Sequence, residues 1–147
     1  MCIILKRTEA SIANEDIICY KLLDNYNGRL KSAFYTDHLY ELNKLQPVVK
    51  IKESNDICCF SNIDNDFLNK NYPNWQLNGN MSQYDLMCIG RGYHSIDTLE
   101  YAEKELIISR FDKTVIVECT IPQGSLYYKG PTGLLVSNQI IVNKIIK

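Results

Sequence analysis

Two short clusters carry residue types that recognise charged ligands. The first is Arg91-Gly92-Tyr93-His94, with Gly90 just before it. Arg91 offers a fixed cation and His94 a donor that titrates near neutral pH, while the two glycines let backbone approach a ligand closely. A helix start follows within a few residues, and unpaired N–H groups at such a start favour anions. The second cluster is Tyr127-Tyr128 with Ser137-Asn138 ten residues on. A tyrosine ring can stack on a base, and Ser137 or Asn138 can read polar edges. Side chains alternate along a strand, so one of the two tyrosines faces a pocket while the other packs. Arg91, Tyr93, His94, Tyr127, Tyr128, Ser137 and Asn138 are therefore the candidate ligand-binding residues, and the ligand they suit is small, anionic and nucleotide-like. Gly90-x-Gly92 is not a dinucleotide fingerprint, because no G-x-G-x-x-G occurs.

Other reactive groups give no complete signature, so no catalytic residue, metal ligand or cofactor is assigned. Glu118 is the one carboxylate within the clearest strand, and it fits a solvent-facing position better than a general base. Six cysteines and two histidines are present, without a C-x-x-C pair, so zinc-ligand spacing is absent. Cys19 and Cys119 sit in apolar runs where a free thiol behaves as a small buried hydrophobe. Cys58-Cys59 reads as core packing. No Asp or Glu follows Glu118, whereas Lys129, Lys144 and Lys147 do, which makes the last strands locally basic.

The elements that position these residues follow from periodicity. Residues 2–6 and 17–23 read as strands, and 24–28 carries turn chemistry that could close a hairpin. Over 35–45, Thr36 or Asp37 could cap a helix bearing Leu39, Tyr40, Leu42 and Leu45, with Pro47 stopping it. Residues 46–52 alternate as a half-exposed strand, 56–60 form a short strand, and 62–71 a short helix. The Asn-rich stretch 71–83 reads as a surface loop pinned by Trp75. A strand over 84–89 runs into the glycines. Asp97 and Glu100 make a capping-box start to a helix with Leu99, Ala102 and Leu106 on one face. Over 114–121, Val115, Val117, Cys119 and Ile121 share one side of a strand, with Glu118 and Thr120 on the other. Strands over 126–129, 134–136 and 139–146 complete the chain, with Gly130–Gly133 as a turn. The expected architecture is one α+β domain over 1–147, with a mixed or mostly antiparallel sheet and two or three helices.

Composition narrows the classes of function. At 147 residues the chain can bury a core of its own. A formal net charge of −1 supplies no field to attract nucleic acid, so neither DNA nor RNA is an expected partner. No apolar run approaches the roughly 18 residues that would span a bilayer, and the first residues lack the order of a signal peptide. A cytoplasmic protein without a membrane partner is the expectation. The strand edge over 126–129 offers a pairing surface for a homodimer.

The run Gly92-Tyr93-His94-Ser95, a short helix, Ile121-Pro122-Gln123-Gly124-Ser125, Tyr127-Tyr128-Lys129-Gly130 and a closing Ser137-Asn138 resembles small domains found in phage and prophage genomes of gut bacteria. Cys19-Tyr20-Lys21 is similar to their opening strand. The resemblance lies mostly in 88–142 and implies a phage-linked origin and a small α+β domain, without supplying an activity. More distantly, the order of His, helix and strands is similar to ADP-ribosyltransferase-like folds, whose activity uses a His or Arg, a Ser or Tyr, and a late Glu. His94 would fill the first role and Tyr127, Tyr128 or Ser137 the second. Asn138-Gln139 stand where the acid belongs, so the resemblance favours nucleotide binding over transfer. The leading expectation is a phage-type accessory protein that sequesters a small anionic nucleotide in the host cytoplasm, as a counter-defence protein would. One alternative is an enzyme acting on such a nucleotide, with His94 as acid or base and Glu118 or Tyr128 assisting. The other is an inhibitor of a host protein that uses the loop around Trp75.

Overall fold

The computed structural model describes residues 3–32, 38–54, 65–71, 86–109 and 113–147. In chain order the elements are β1 (Ile3–Lys6), β2 (Ser11–Ile12), β3 (Ile17–Tyr26), β4 (Arg29–Ser32), β5 (Leu39–Tyr40), β6 (Lys52–Glu53), α1 (Asn65–Asn71), β7 (Leu86–Arg91), β8 (Tyr93–Ile96), α2 (Leu99–Ser109), β9 (Thr114–Ile121), β10 (Leu126–Lys129), β11 (Leu134–Ser137) and β12 (Ile141–Ile145). The fold is mostly β and its strand pairs are antiparallel, which corrects the α+β expectation. The expected strand over 56–60, the Cys58-Cys59 pair and the loop around Trp75 lie outside the described residues.

A large sheet runs in the order β12-β9-β3-β8-β11-β10-β2, with β4 and β5 continuing from β3. A small sheet, β1-β7-β6, stands apart from it. The spine is β3 against β9, in register from Ile17 opposite Ile121 to Asp24 opposite Thr114. β3 is apolar on both faces from Ile17 to Leu23 apart from Lys21, whereas β9 is apolar on one face and carries Glu118 and Thr120 on the other. One face holds Cys19, Leu23, Val117, Cys119 and Ile121 together with Tyr40, Tyr93, Leu135 and Ile140. A strap of residues 38–50 crosses this face and is tied to the far edge by Asn43 N to Val142 O at 2.7 Å, Gln46 N to Ile140 O at 2.9 Å and Val49 N to Asn138 O at 3.0 Å. On the opposite face, Tyr20, Leu22, Ile96 and Ile116 pack under Leu99, Ala102 and Leu106 of α2. Beside them, Val136, Tyr128 and Leu134 pack against Ile3, Leu5, Met87 and Ile89 of the small sheet. Each fully buried Leu or Ile there contributes about 1.5–3 kcal/mol of transfer free energy.

The expected helix over 35–45 is not formed: from His38 onward that chain is extended, while 35–37 lie outside the described residues. Leu30 and Lys31 of β4 pair with Tyr40 and Leu39, and Leu42 and Leu45 bridge to Val142 and Ile141. Backbone pairing with distant strands wins over the leucine spacing, and Leu39, Leu42 and Leu45 remain 47–49% exposed instead of forming a core face. The expected glycine loop is also different. β7 continues through Arg91, Gly92 alone turns the chain at φ 144°, and β8 begins at Tyr93. A Cβ at Gly92 would press into the Val136 side chain, so only glycine lets β8 lie this close to β11. α2 starts later than expected. Thr98 is the cap, its Oγ1 accepting from Tyr101 N at 3.2 Å, while the Asp97 carboxylate pairs with Lys129 at 3.3 Å.

Candidate functional site

Strand register fixes where the candidate ligand-binding residues lie. Tyr127 stands opposite Ser137, and Ser137 opposite Tyr93. Tyr128 stands opposite Val136, and Val136 opposite His94. Directly opposed residues in an antiparallel pair share a face. Tyr93, Ser137 and Tyr127 therefore face the strap, and Tyr128 and His94 face the small sheet. The two rungs are adjacent but back to back, so these residues do not converge on one pocket.

Their polar groups are largely committed to backbone. Tyr93 donates its hydroxyl to Pro47 O at 2.6 Å, and Ser137 donates to Gln139 O at 2.8 Å. Asn138 Oδ1 accepts from Leu126 N at 2.9 Å, which ties the residue after β11 to the start of β10. His94 sits in the middle of β8, not at the helix start, because the chain continues as strand to Ile96. Its ring nitrogens lie 3.2 Å from Gly92 O and 3.3 Å from Ile89 O. Burial, reinforced by the Lys21 charge, pushes its pKa down to about 4, so the imidazole is neutral at neutral pH. Arg91 is exposed at the end of β7, opposite Lys52. The late basic residues are paired with earlier acids: Lys129 with Asp97 at 3.3 Å, Lys144 with Glu118 at 4.0 Å and Lys147 with Glu103 at 2.8 Å. Glu118 lies on a central strand between β12 and β3. The expected dimer edge at 126–129 is partly filled already, because β2 pairs with Leu126 and Tyr127.

The group with the most chemical potential lies beneath the strap. Alternation along β3 turns Cys19, Lys21 and Leu23 inward. Lys21 is 9% exposed and donates from Nζ to His94 O, with the Tyr40 ring centroid 5.6 Å away. Among the described residues no carboxylate forms an ion pair with it. Burial pushes its pKa down, opposed by the Cys119 and Cys19 sulfurs. Cys19 and Cys119 stand directly opposite each other, both fully buried. The Cys119 thiol, hydrogen-bonded to Cys19, holds the Cys19 pKa below its ordinary value, with Ser95 and Lys21 acting in the same direction. Burial and the neighbouring Cys19 push Cys119 well up. The buried Ser95 Oγ has no nitrogen or oxygen partner among the described residues and lies beside the Cys19 thiol.

Aromatic rings close the strap side. His38, Tyr40 and Tyr93 meet edge to face, with centroids 4.4 Å apart for His38–Tyr40 and 6.4 Å for Tyr40–Tyr93. His38 Nε2 meets the buried Gln46 Oε1 at 3.1 Å. Burial raises the Tyr40 pKa, so its hydroxyl stays protonated. This arrangement can hold an anion against a desolvated cation, and it can carry thiol chemistry. The sequence held a signal for it. Residues 17–23 are apolar on both alternating sets apart from Lys21, so a strand buried on both faces had to bury that lysine.

Among the described residues no cluster of three or more His, Cys, Asp or Glu is arranged to hold a metal ion, and no helix is long and apolar enough to cross a membrane. No protein-family model matches the chain, and comparison with curated proteins and with solved structures finds no match.

Proposed function

We propose that the protein binds a small anionic, nucleotide-like ligand beneath the strap, with Lys21 as the anchoring cation. The observation that carries this reading is a buried lysine side chain with no carboxylate paired to it among the described residues. A buried charge without a counter-ion is costly, and an anionic ligand would supply one. Tyr40 and Tyr93 provide aromatic surface for a base or ring, and Ser95 Oγ, without a nitrogen or oxygen partner among the described residues, lies on the same face. The ligand enters as the strap lifts. Between β5 and β6 the strap is fastened by isolated bridges and single hydrogen bonds, and it leaves Leu39, Leu42, Leu45 and Val48 in solvent. Segments with few buried apolar contacts open first. Arg91, exposed on another strand end, is not part of this proposed site. Sequestration of a signalling nucleotide by a phage-type accessory protein is the biological role this binding would serve.

The test is a thermal-shift screen against a nucleotide panel, followed by heat release and mass analysis of the bound molecule. Wild-type protein should be stabilised by at least one anionic nucleotide and release it intact, whereas Lys21→Met should show no shift. An altered released molecule would favour an enzyme acting on the nucleotide. No shift in wild type, or an equal shift in Lys21→Met, would remove the proposed site.

A further inference from the structure

The strap-covered face also holds a thiol pair whose geometry fits covalent chemistry independent of any ligand. Cys19 on β3 and Cys119 on β9 are directly opposed in an unbroken register that runs from Ile17–Ile121 to Asp24–Thr114. Opposed residues in an antiparallel pair have Cα atoms about 4.5–5.5 Å apart, within the roughly 4.4–6.8 Å that a disulfide spans. Both thiols are fully buried and free, with Lys21 two residues from Cys19 on the same face and Ser95 Oγ at the Cys19 sulfur. Cys88, the other cysteine among the described residues, belongs to β7 in the small sheet, where it stands opposite Ile4.

We propose that Cys19 and Cys119 form a reversible dithiol–disulfide site that is oxidised by a small hydroperoxide. Cys19 reacts first, as a thiolate. Its sulfur attacks one peroxide oxygen, the S–O bond forms, the O–O bond breaks, and the departing hydroxide takes a proton from the Lys21 ammonium to become water. The neutral Lys21 amine then removes the Cys119 thiol proton. The Cys119 sulfur attacks the Cys19 sulfenic acid, the S–S bond forms, the S–O bond breaks, and the second hydroxide leaves as water with that proton. Two thiols lose two electrons to one peroxide, giving one disulfide and two waters. Hydrogen peroxide is little larger than water, so brief opening of the strap is enough to admit it. The Lys21 amine regains a proton from solvent.

The experiment uses the full chain and hydrogen peroxide. After treatment, remaining thiols are alkylated under denaturing conditions and the protein is digested without reductant. The expected result is a linked peptide pair containing Cys19 and Cys119 in most molecules, which dithiothreitol reverts to two separate peptides. In Cys119→Ser, Cys19 should be trapped by dimedone as a sulfenic acid. Recovery of Cys19 and Cys119 as alkylated thiols, or a link from either to another cysteine, would overturn the proposal. That reading needs no variant, so it stands even if Cys119→Ser fails to fold.

Discussion

The two faces of the large sheet differ in how fully their buried polar groups are satisfied. On the face shared by α2 and the small sheet, His94 is buried, neutral and placed against the Gly92 and Ile89 carbonyls. Glu118 receives Asn143 and pairs with Lys144, and the Asp97 carboxylate beyond the end of β8 pairs with Lys129. These three polar groups have partners, and their role is architectural. On the strap face, Lys21 is buried with a single carbonyl acceptor and no carboxylate among the described residues, beside two thiols and a hydroxyl that lacks an oxygen or nitrogen partner. Residue type alone pointed to both faces, with His94 and Tyr128 on the first and Tyr93, Tyr127 and Ser137 on the second. Satisfaction of the buried groups points to the second, because an unmet electrostatic demand costs stability unless something else meets it.

The sharpest way to break the satisfied face is to hollow it. Ile116 is fully buried under α2, and Ile116→Ala should lower stability by about 2–5 kcal/mol, read by urea unfolding. A loss well below 1 kcal/mol would mean that α2 does not hold this face together.

The next effect is pH-dependent. The folded His94 pKa of about 4 lies below its ordinary 6.5, so between these values the unfolded chain binds a proton that the folded chain refuses. Stability should fall as pH drops from 6.5 toward 4, by up to about 3 kcal/mol from this residue, and His94→Gln should flatten that part of the profile. Unfolding midpoints measured across that window for both proteins decide it, and parallel profiles would put the titration elsewhere.

Lys21→Met tests the other face. Removing a buried, unpaired ammonium while keeping its stem should leave the ligand-free protein unchanged or raise its stability by about 1–2 kcal/mol. A clear loss in thermal unfolding would make Lys21 a structural donor to His94 and would erase the contrast between the faces. The smallest effect separates two neighbouring caps. Thr98→Ala should cost about 1 kcal/mol, through the lost hydrogen bond to Tyr101 N, whereas Asp97→Ala removes a partly exposed ion pair worth less.

Much of the fold was legible where local chemistry governs. The alternation of Val115, Val117, Cys119 and Ile121, the Leu99–Ala102–Leu106 stripe and the Gly130–Gly133 turn stand as read. The turn expected over 24–28 does close a hairpin but is confined to Asn27-Gly28, because β3 runs on through Tyr26. The misread pieces depend on distant partners. Leucines at 39, 42 and 45 fit a helical face until β4 and β12 claim that backbone. β8 is too short to announce itself, and its placement rests on β11 and on the close approach allowed by Gly92. The candidate site was harder still. Tyr93, His94, Tyr127 and Tyr128 are near one another across the strands, but the pleat sends them to opposite sides.

The amino-acid order alone determined the periodicities, the turns and the fact that 17–23 is apolar on both alternating sets apart from Lys21, since each depends on residues a few positions apart. Tertiary structure decided which of those sets meets the strap and which meets α2. It also set Cys19 opposite Cys119 and left Lys21 without a carboxylate among the described residues. Register between strands a hundred residues apart is fixed by the packing of two layers against one sheet, and a shift of one residue would exchange every inward side chain for an outward one.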